Sequence, residues 1–167
     1  MATALFVTTN DIVSFSAMNG SVDPDNFIQW VKVAQDTEIQ NYLGTDLYNK
    51  INNDIIADTL ANPYLALVND YIKPMLIHFA MVQYLPWCAY TIANRGVYKH
   101  TSENSESVTK TEVDYLVEKE RSIAMSYTER FIKYMCYHKD DFPEYSTNTD
   151  EDMKPSKNNK SYGGWQI

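Results

Sequence analysis

The longest apolar run, from Tyr64 to Ile92, constrains the fold more than any other feature of the chain. Leu67, Val68, Tyr71, Met75, Leu76, Phe79, Val82 and Leu85 leave it little polar face. A helix that is apolar all round has to be surrounded, so the rest of the chain must supply its cover. Asn62-Pro63 opens the run as a cap followed by a proline, the order that suits a helix start. Pro74 and Pro86 interrupt it. Each removes one intrahelical hydrogen bond and crowds the preceding turn, which predicts a kink or a restart at each.

The covering elements are helical. Thr8 or Thr9 caps a short first helix through Asp11, Ile12 and Phe15, expected to stop near Asn19-Gly20. Asp23 as cap and Pro24 at the first helical position start a second, with Ile28, Val31, Gln35, Ile39 and Tyr42 at helical spacing and Gly44 as its stop. Thr45 is expected to cap a third, whose stripe is Leu47, Tyr48, Ile51 and Ile55. After Asn94-Arg95-Gly96 the chain turns polar, and residues 97–108 read as a protruding loop or a small hairpin. Thr109 and Glu112 form a capping box. They start the clearest amphipathic helix, with Val113, Leu116, Val117, Glu120, Ile123, Ala124, Tyr127, Phe131, Tyr134 and Met135 recurring every three or four positions.

Beyond Asp140 this period is lost. Pro143, Pro155, Gly163 and Gly164 and the acids Asp150, Glu151 and Asp152 describe an extended arm over 141–167, following one helical domain over 1–140. The fold class is therefore all-α, a small bundle of about five helices with a C-terminal arm. Composition agrees: 5 glycines and 6 prolines in 167 residues are too few for a turn-rich β architecture, and 44% hydrophobic residues suffice for a core.

Charge and motifs narrow the function by exclusion. A formal net charge of -8 argues against a protein that wraps nucleic acid. The acidity is concentrated in residues 1–62, which hold eight acids against two lysines. Asp36, Glu38, Asp46, Asp54 and Asp58 are its densest part, a candidate face for a channel lining or an assembly exterior where negative potential repels passing DNA. His78, His100 and His138 are far apart, and Cys136 and His138 fall on nearly opposite helix faces, so no metal or other cofactor is expected. Cys88 and Cys136 read as reduced thiols inside the core, without a nucleophile signature. No phosphate-binding loop, nucleophile elbow or zinc-protease motif occurs, which points away from an enzyme. Neither a signal peptide nor a membrane span of ~20 apolar residues is expected, which suits synthesis in a cytoplasm.

The arm carries the most unusual chemistry. Tyr162, Trp165 and Ile167 place large side chains on a segment without a core, the pattern of anchors for a partner surface. Phe142, Pro143 and Tyr145 at its root are further partner-binding candidates, with packing on the parent domain as the favoured alternative. Tyr98, Lys99 and His100 are candidate loop contacts.

The strings NFIQWVKVAQDTEIQNYLGTDLYNKI, YIKPMLIHFAMVQYLPW, NRGVYKHTSENS, EVDYLVEKERSIAMSYTERFIKYM, FPEYS and GGWQI resemble the small helical head-to-tail connector, or adaptor ring, proteins of tailed bacteriophages, in the form found in crAss-like phages of gut Bacteroidetes. The resemblance implies a virion protein at the head-tail junction, made in the host cytoplasm. It implies about a dozen copies in a ring beneath the portal, joined to neighbouring ring or tail proteins around a channel for DNA, with no catalytic residues. A small DNA-packaging factor resembling a small terminase subunit is the alternative; it requires a basic patch. The nearest candidate, Lys119, Arg121, Arg130 and Lys133, is interleaved with Glu118, Glu120 and Glu129, as on a solvated helix face.

Overall fold

The computed structural model describes residues 3–18, 24–88, 90–93, 96–99, 109–149 and 152–158. The fold is all-α, with one two-stranded hairpin among the described residues. Helix α1 spans Thr9–Phe15. Its cap is Thr8, whose hydroxyl accepts from the Asp11 amide at 3.3 Å while Asp11 Oδ2 accepts from the Thr8 amide at 2.9 Å. It ends at Phe15, short of the expected Asn19-Gly20; residues 19–23, with the proposed Asp23 cap, lie outside the described residues.

Helix α2 begins at Pro24 and runs to Leu43, with a wide π turn over Gln35–Ile39. Gly44 ends it at φ 77° and ψ 158°, backbone that is essentially restricted to glycine. Helix α3 follows directly over Thr45–Ile56. Its cap position is Gly44 rather than Thr45. Thr45 is already helical, and its hydroxyl is turned to the C-terminal segment instead.

Helix α4 spans Tyr64–Tyr84. By length and composition it could cross a membrane, contrary to the sequence expectation, but it is the central core helix, packed between α2 and the final helix. Leu67, Ile72, Met75, Leu76 and Ala80 on it are wholly inaccessible. At Pro74 the chain stays helical but the regular α-helix restarts, from Lys73 with the proline in its first turn. A π turn over Val68–Ile72 precedes the proline. The Asp70 carbonyl, which would have paired with an amide at position 74, instead accepts from Arg130 Nη1 at 3.0 Å. At the other proline the helix stops, and residues 85–88 form a turn.

Strands β1 (Tyr90–Ala93) and β2 (Gly96–Lys99) then pair antiparallel, Tyr90 opposite Lys99 and Ala93 opposite Gly96. The hairpin thus starts earlier than the polar segment expected to form it, sharing only 97–99 with it. Helix α5 spans Lys110–His138 behind the Thr109–Glu112 capping box. It runs antiparallel to α4, with Tyr71 stacked on Tyr134 and His78 on Tyr127. Only Ala124, Thr128, Phe131 and Met135 of α5 are buried. Leu116 and Ile123, on its predicted apolar stripe, are exposed.

The packed body does not end at residue 140. Short 3-10 turns at Lys139–Asp141 and Pro143–Tyr145 fold the chain back, leaving Phe142 fully buried and Tyr145 6% exposed. Phe142 meets Tyr64 edge-on at 5.3 Å, and Tyr145 meets Phe131 at 6.2 Å. Tyr64 also donates to Glu144 Oε2 at 2.7 Å. Burial, together with that carboxylate, holds the Tyr64 phenol protonated well above the usual range.

Candidate assembly surfaces

The sequence-derived candidates fall in four places. Phe142 and Tyr145 are core residues, so they serve their own domain and are not free partner anchors; Pro143 starts the turn between them. Tyr162, Trp165, Ile167 and His100 lie outside the described residues, and Tyr98 and Lys99 are placed in β2 by their backbone alone. The five carboxylates do not form one open face. Glu38 is buried at 8% exposure. Asp36 pairs with Lys32 and accepts from the Tyr48 hydroxyl, and Asp54 pairs with Lys50. Asp46 is engaged by the C-terminal segment, while Asp58 is exposed at the end of α3. The thiols are also not where they were expected: Cys88 and Cys136 are both exposed.

That C-terminal segment is the first of three surfaces the sequence left unread. After Tyr145 the chain crosses the corner between α2 and α3 as a strap. Asp46 accepts from the Thr147 hydroxyl and, at 2.8 Å, from the Thr149 amide. Thr45 donates its amide to the Met153 carbonyl at 3.0 Å and accepts from the Met153 amide at 3.1 Å. Asp152 accepts from the Thr45 hydroxyl at 3.0 Å, and the Ser156 amide donates to the Asn41 carbonyl at 2.9 Å. Gly44 is required here for space as well as conformation, since a Cβ there would lie 2.6 Å from Pro155 Cδ. No described residue of the strap, 147–149 or 152–158, is buried.

The second surface is a cleft of about 520 Å³ between α1, α4 and α5, lined by Asp11, Phe15, Lys73, His78, Tyr127 and Arg130 among others. Its charges are matched internally. Lys73 Nζ lies 3.1 Å from Asp11 Oδ2, and His78 Nδ1 lies 2.7 Å from Glu120 Oε2. Partial burial would raise the Asp11 carboxyl, but the Thr8 amide and hydroxyl together with Lys73 outweigh it and hold the group below the usual range. Arg130 lies over the Tyr71 ring at 4.6 Å. No lining residue is a serine, threonine or cysteine that these bases could activate, and among the described residues no three metal-ligating side chains cluster.

The third surface is an exposed flank of α5. Leu116 is 45% exposed, Ile123 40% and Tyr137 88%. They are spaced in multiples of seven, which keeps them on one flank of the helix with a drift of about 20° per step; Arg130, at the step between Ile123 and Tyr137, is turned onto Tyr71. Tyr115 beside them is capped by Lys119, 5.4 Å from its ring. Two further cations of this helix are paired locally, Arg121 with Glu118 at 3.4 Å and Lys133 with Glu129 at 2.6 Å. The helix therefore offers no block of free positive charge.

Residues 39–153 match the model of a family of unknown function, DUF6712. The chain belongs to DUF6712. The DUF6712 match opens within α2 at the end of its π turn and closes at Met153. It therefore takes in the corner at Gly44, the core helices α3 to α5 and the first part of the strap, and leaves out α1. No curated protein and no solved structure matches the chain.

Proposed function

We propose that the protein is a structural virion subunit, one copy of a ring that joins the portal at the capsid vertex to the tail and leaves a channel through which DNA passes. In this reading it has no catalytic role and no cofactor, and its partners are further copies of itself, the portal, and neighbouring ring or tail proteins. The resemblance of the sequence to adaptor ring proteins suggests the role. The observation that carries it is one flank of α5, where Leu116 and Ile123 of its apolar stripe, and Tyr137 further along, remain exposed. Aligned apolar side chains on a folded domain mark a contact surface, and a ring of identical subunits needs such a surface on every copy. The local ion pairing of α5 favours this role over DNA packaging, which needs cations free to meet phosphates.

Light scattering and negative-stain imaging of the purified protein, alone and mixed with portal protein, test the proposal. Closed rings, or monomers that become rings on portal, are the expected result. Monomers under both conditions would overturn it, and tight salt-sensitive binding of duplex DNA would replace it with the packaging role.

A further inference from the structure

We infer that one side of α2, from Asn41 to the paired rings of Trp30 and Trp87, is the seat of this chain's own residues 159–167, with Tyr162 and Trp165 as the anchors. The strap delivers that segment. Thr45 holds Met153 through both its amide and its hydroxyl, and Asn41, four positions earlier, takes the Ser156 amide on its carbonyl. Over residues 153–156 the strap therefore runs back along α2, towards the start of that helix. Residues 159–167, outside the described residues, continue the chain from Asn158.

The side of α2 that lies ahead is open. Asn41, Thr37, Val33 and Trp30 are spaced by three or four positions, so they follow one side of the helix. Asn41 Nδ2 is shielded from solvent and has no acceptor among the described residues, which leaves a donor for a carbonyl of the passing chain. Thr37 is exposed and Val33 is 39% exposed. At the far end Trp30 and Trp87 stack at 5.6 Å, and Trp87 is 47% exposed. Tyr90, whose amide donates to the Trp87 carbonyl, is 49% exposed beside them. A third aromatic ring on this pair would bury a large apolar area at once.

The lengths agree. Eleven helical residues separate Asn41 from Trp30, about 16 Å. Nine residues separate Ser156 from Trp165, which reach up to about 30 Å when extended. The slack falls at Gly163 and Gly164, where the backbone can turn freely to present the Trp165 ring. Tethering through the strap gives the segment a local concentration on the order of millimolar, which favours it over a separate partner or a second copy. A single chain suffices, so the seat is independent of the ring.

Distances measured by double electron-electron resonance test this. Full-length chains with Cys88→Ser and Cys136→Ser carry nitroxide labels on Thr37→Cys and Gln166→Cys, and are diluted into excess unlabelled chain so that only distances within one chain are read. The expected result is one narrow, short distance that becomes several-fold broader when Trp165→Ala is added and, separately, when Val33→Asp places a carboxylate in the seat. A broad distribution at the outset, or one that either substitution leaves unmoved, overturns the seat. A short distance found only without dilution puts the segment on a second copy and overturns it likewise.

Discussion

Gln35 does more for this fold than its residue type suggests. It is fully buried, its Oε1 accepts from the Phe6 amide at 2.9 Å, and its Nε2 donates to the Ala4 carbonyl at 2.8 Å and the Tyr48 hydroxyl at 3.0 Å. Gln35→Ala strands three polar groups at once and is expected to lower unfolding stability by about 3 kcal/mol in urea denaturation. Leu at the same position should do little better, because the stranded groups remain. Tyr145 gives a pH signature. Burial, with the Cys136 thiolate as a smaller cause, pushes its phenol up to about 12. A phenol raised above its unfolded value of about 10 contributes stability that is complete below that pH and fades as pH climbs towards the folded value. Stability measured from pH 9 to 12 should therefore fall more steeply in the wild type than in Tyr145→Phe; equal slopes would contradict the assignment. Helical spacing placed Gln35 on the buried stripe of α2, but its partners come from residues up to 31 positions away, and no local pattern reports them.

At the scale of elements, the sequence announced the helices through their caps and stops. The first cap was narrowed only to Thr8 or Thr9 and proves to be Thr8 in a capping box with Asp11, while Thr109 with Glu112, and Gly44, act within a few residues and were legible for that reason. What the prolines do was not, because it depends on a helix far away in the chain. Pro74 has no amide to offer the Asp70 carbonyl, and Arg130 of α5 donates to it instead. Arg130→Met keeps apolar contact with Tyr71 but removes the donor, and should cost about 1 kcal/mol. In a Pro74→Ala background an amide is restored four residues after Asp70, and the cost should shrink. Equal losses in the two backgrounds, in a double-mutant cycle, would show that the carbonyl bond is not what matters. The α5 stripe shows the same limit: its period is helical from Val113 to Met135, yet only Ala124, Thr128, Phe131 and Met135 of the helix are buried.

At the scale of the whole molecule, the division into a body and an arm moves from residue 140 to the far side of Tyr145. A chain ending at Ser146 keeps Phe142 and Tyr145 and should unfold cooperatively with a loss of about 1 to 2 kcal/mol, from the strap's polar bonds alone. One ending at Asp141 loses two buried aromatic side chains and should drop by about 5 kcal/mol or more, within reach of the entire stability of such a domain. Thermal melts of the two chains decide this. The aromatic root was read in the sequence as belonging either to a partner or to its own domain, because composition marks a side chain as an anchor without saying what it is anchored in. A last consequence concerns the order of synthesis. The first described residues are seated by Gln35 and by Asn52, whose Oδ1 accepts from the Ala4 amide at 2.8 Å. These residues leave the ribosome before α3, and they have nowhere to dock until α3 has emerged behind them. The beginning of the chain is thus finished by its own middle, and a nascent chain halted before residue 52 should show residues 3–8 open to protease.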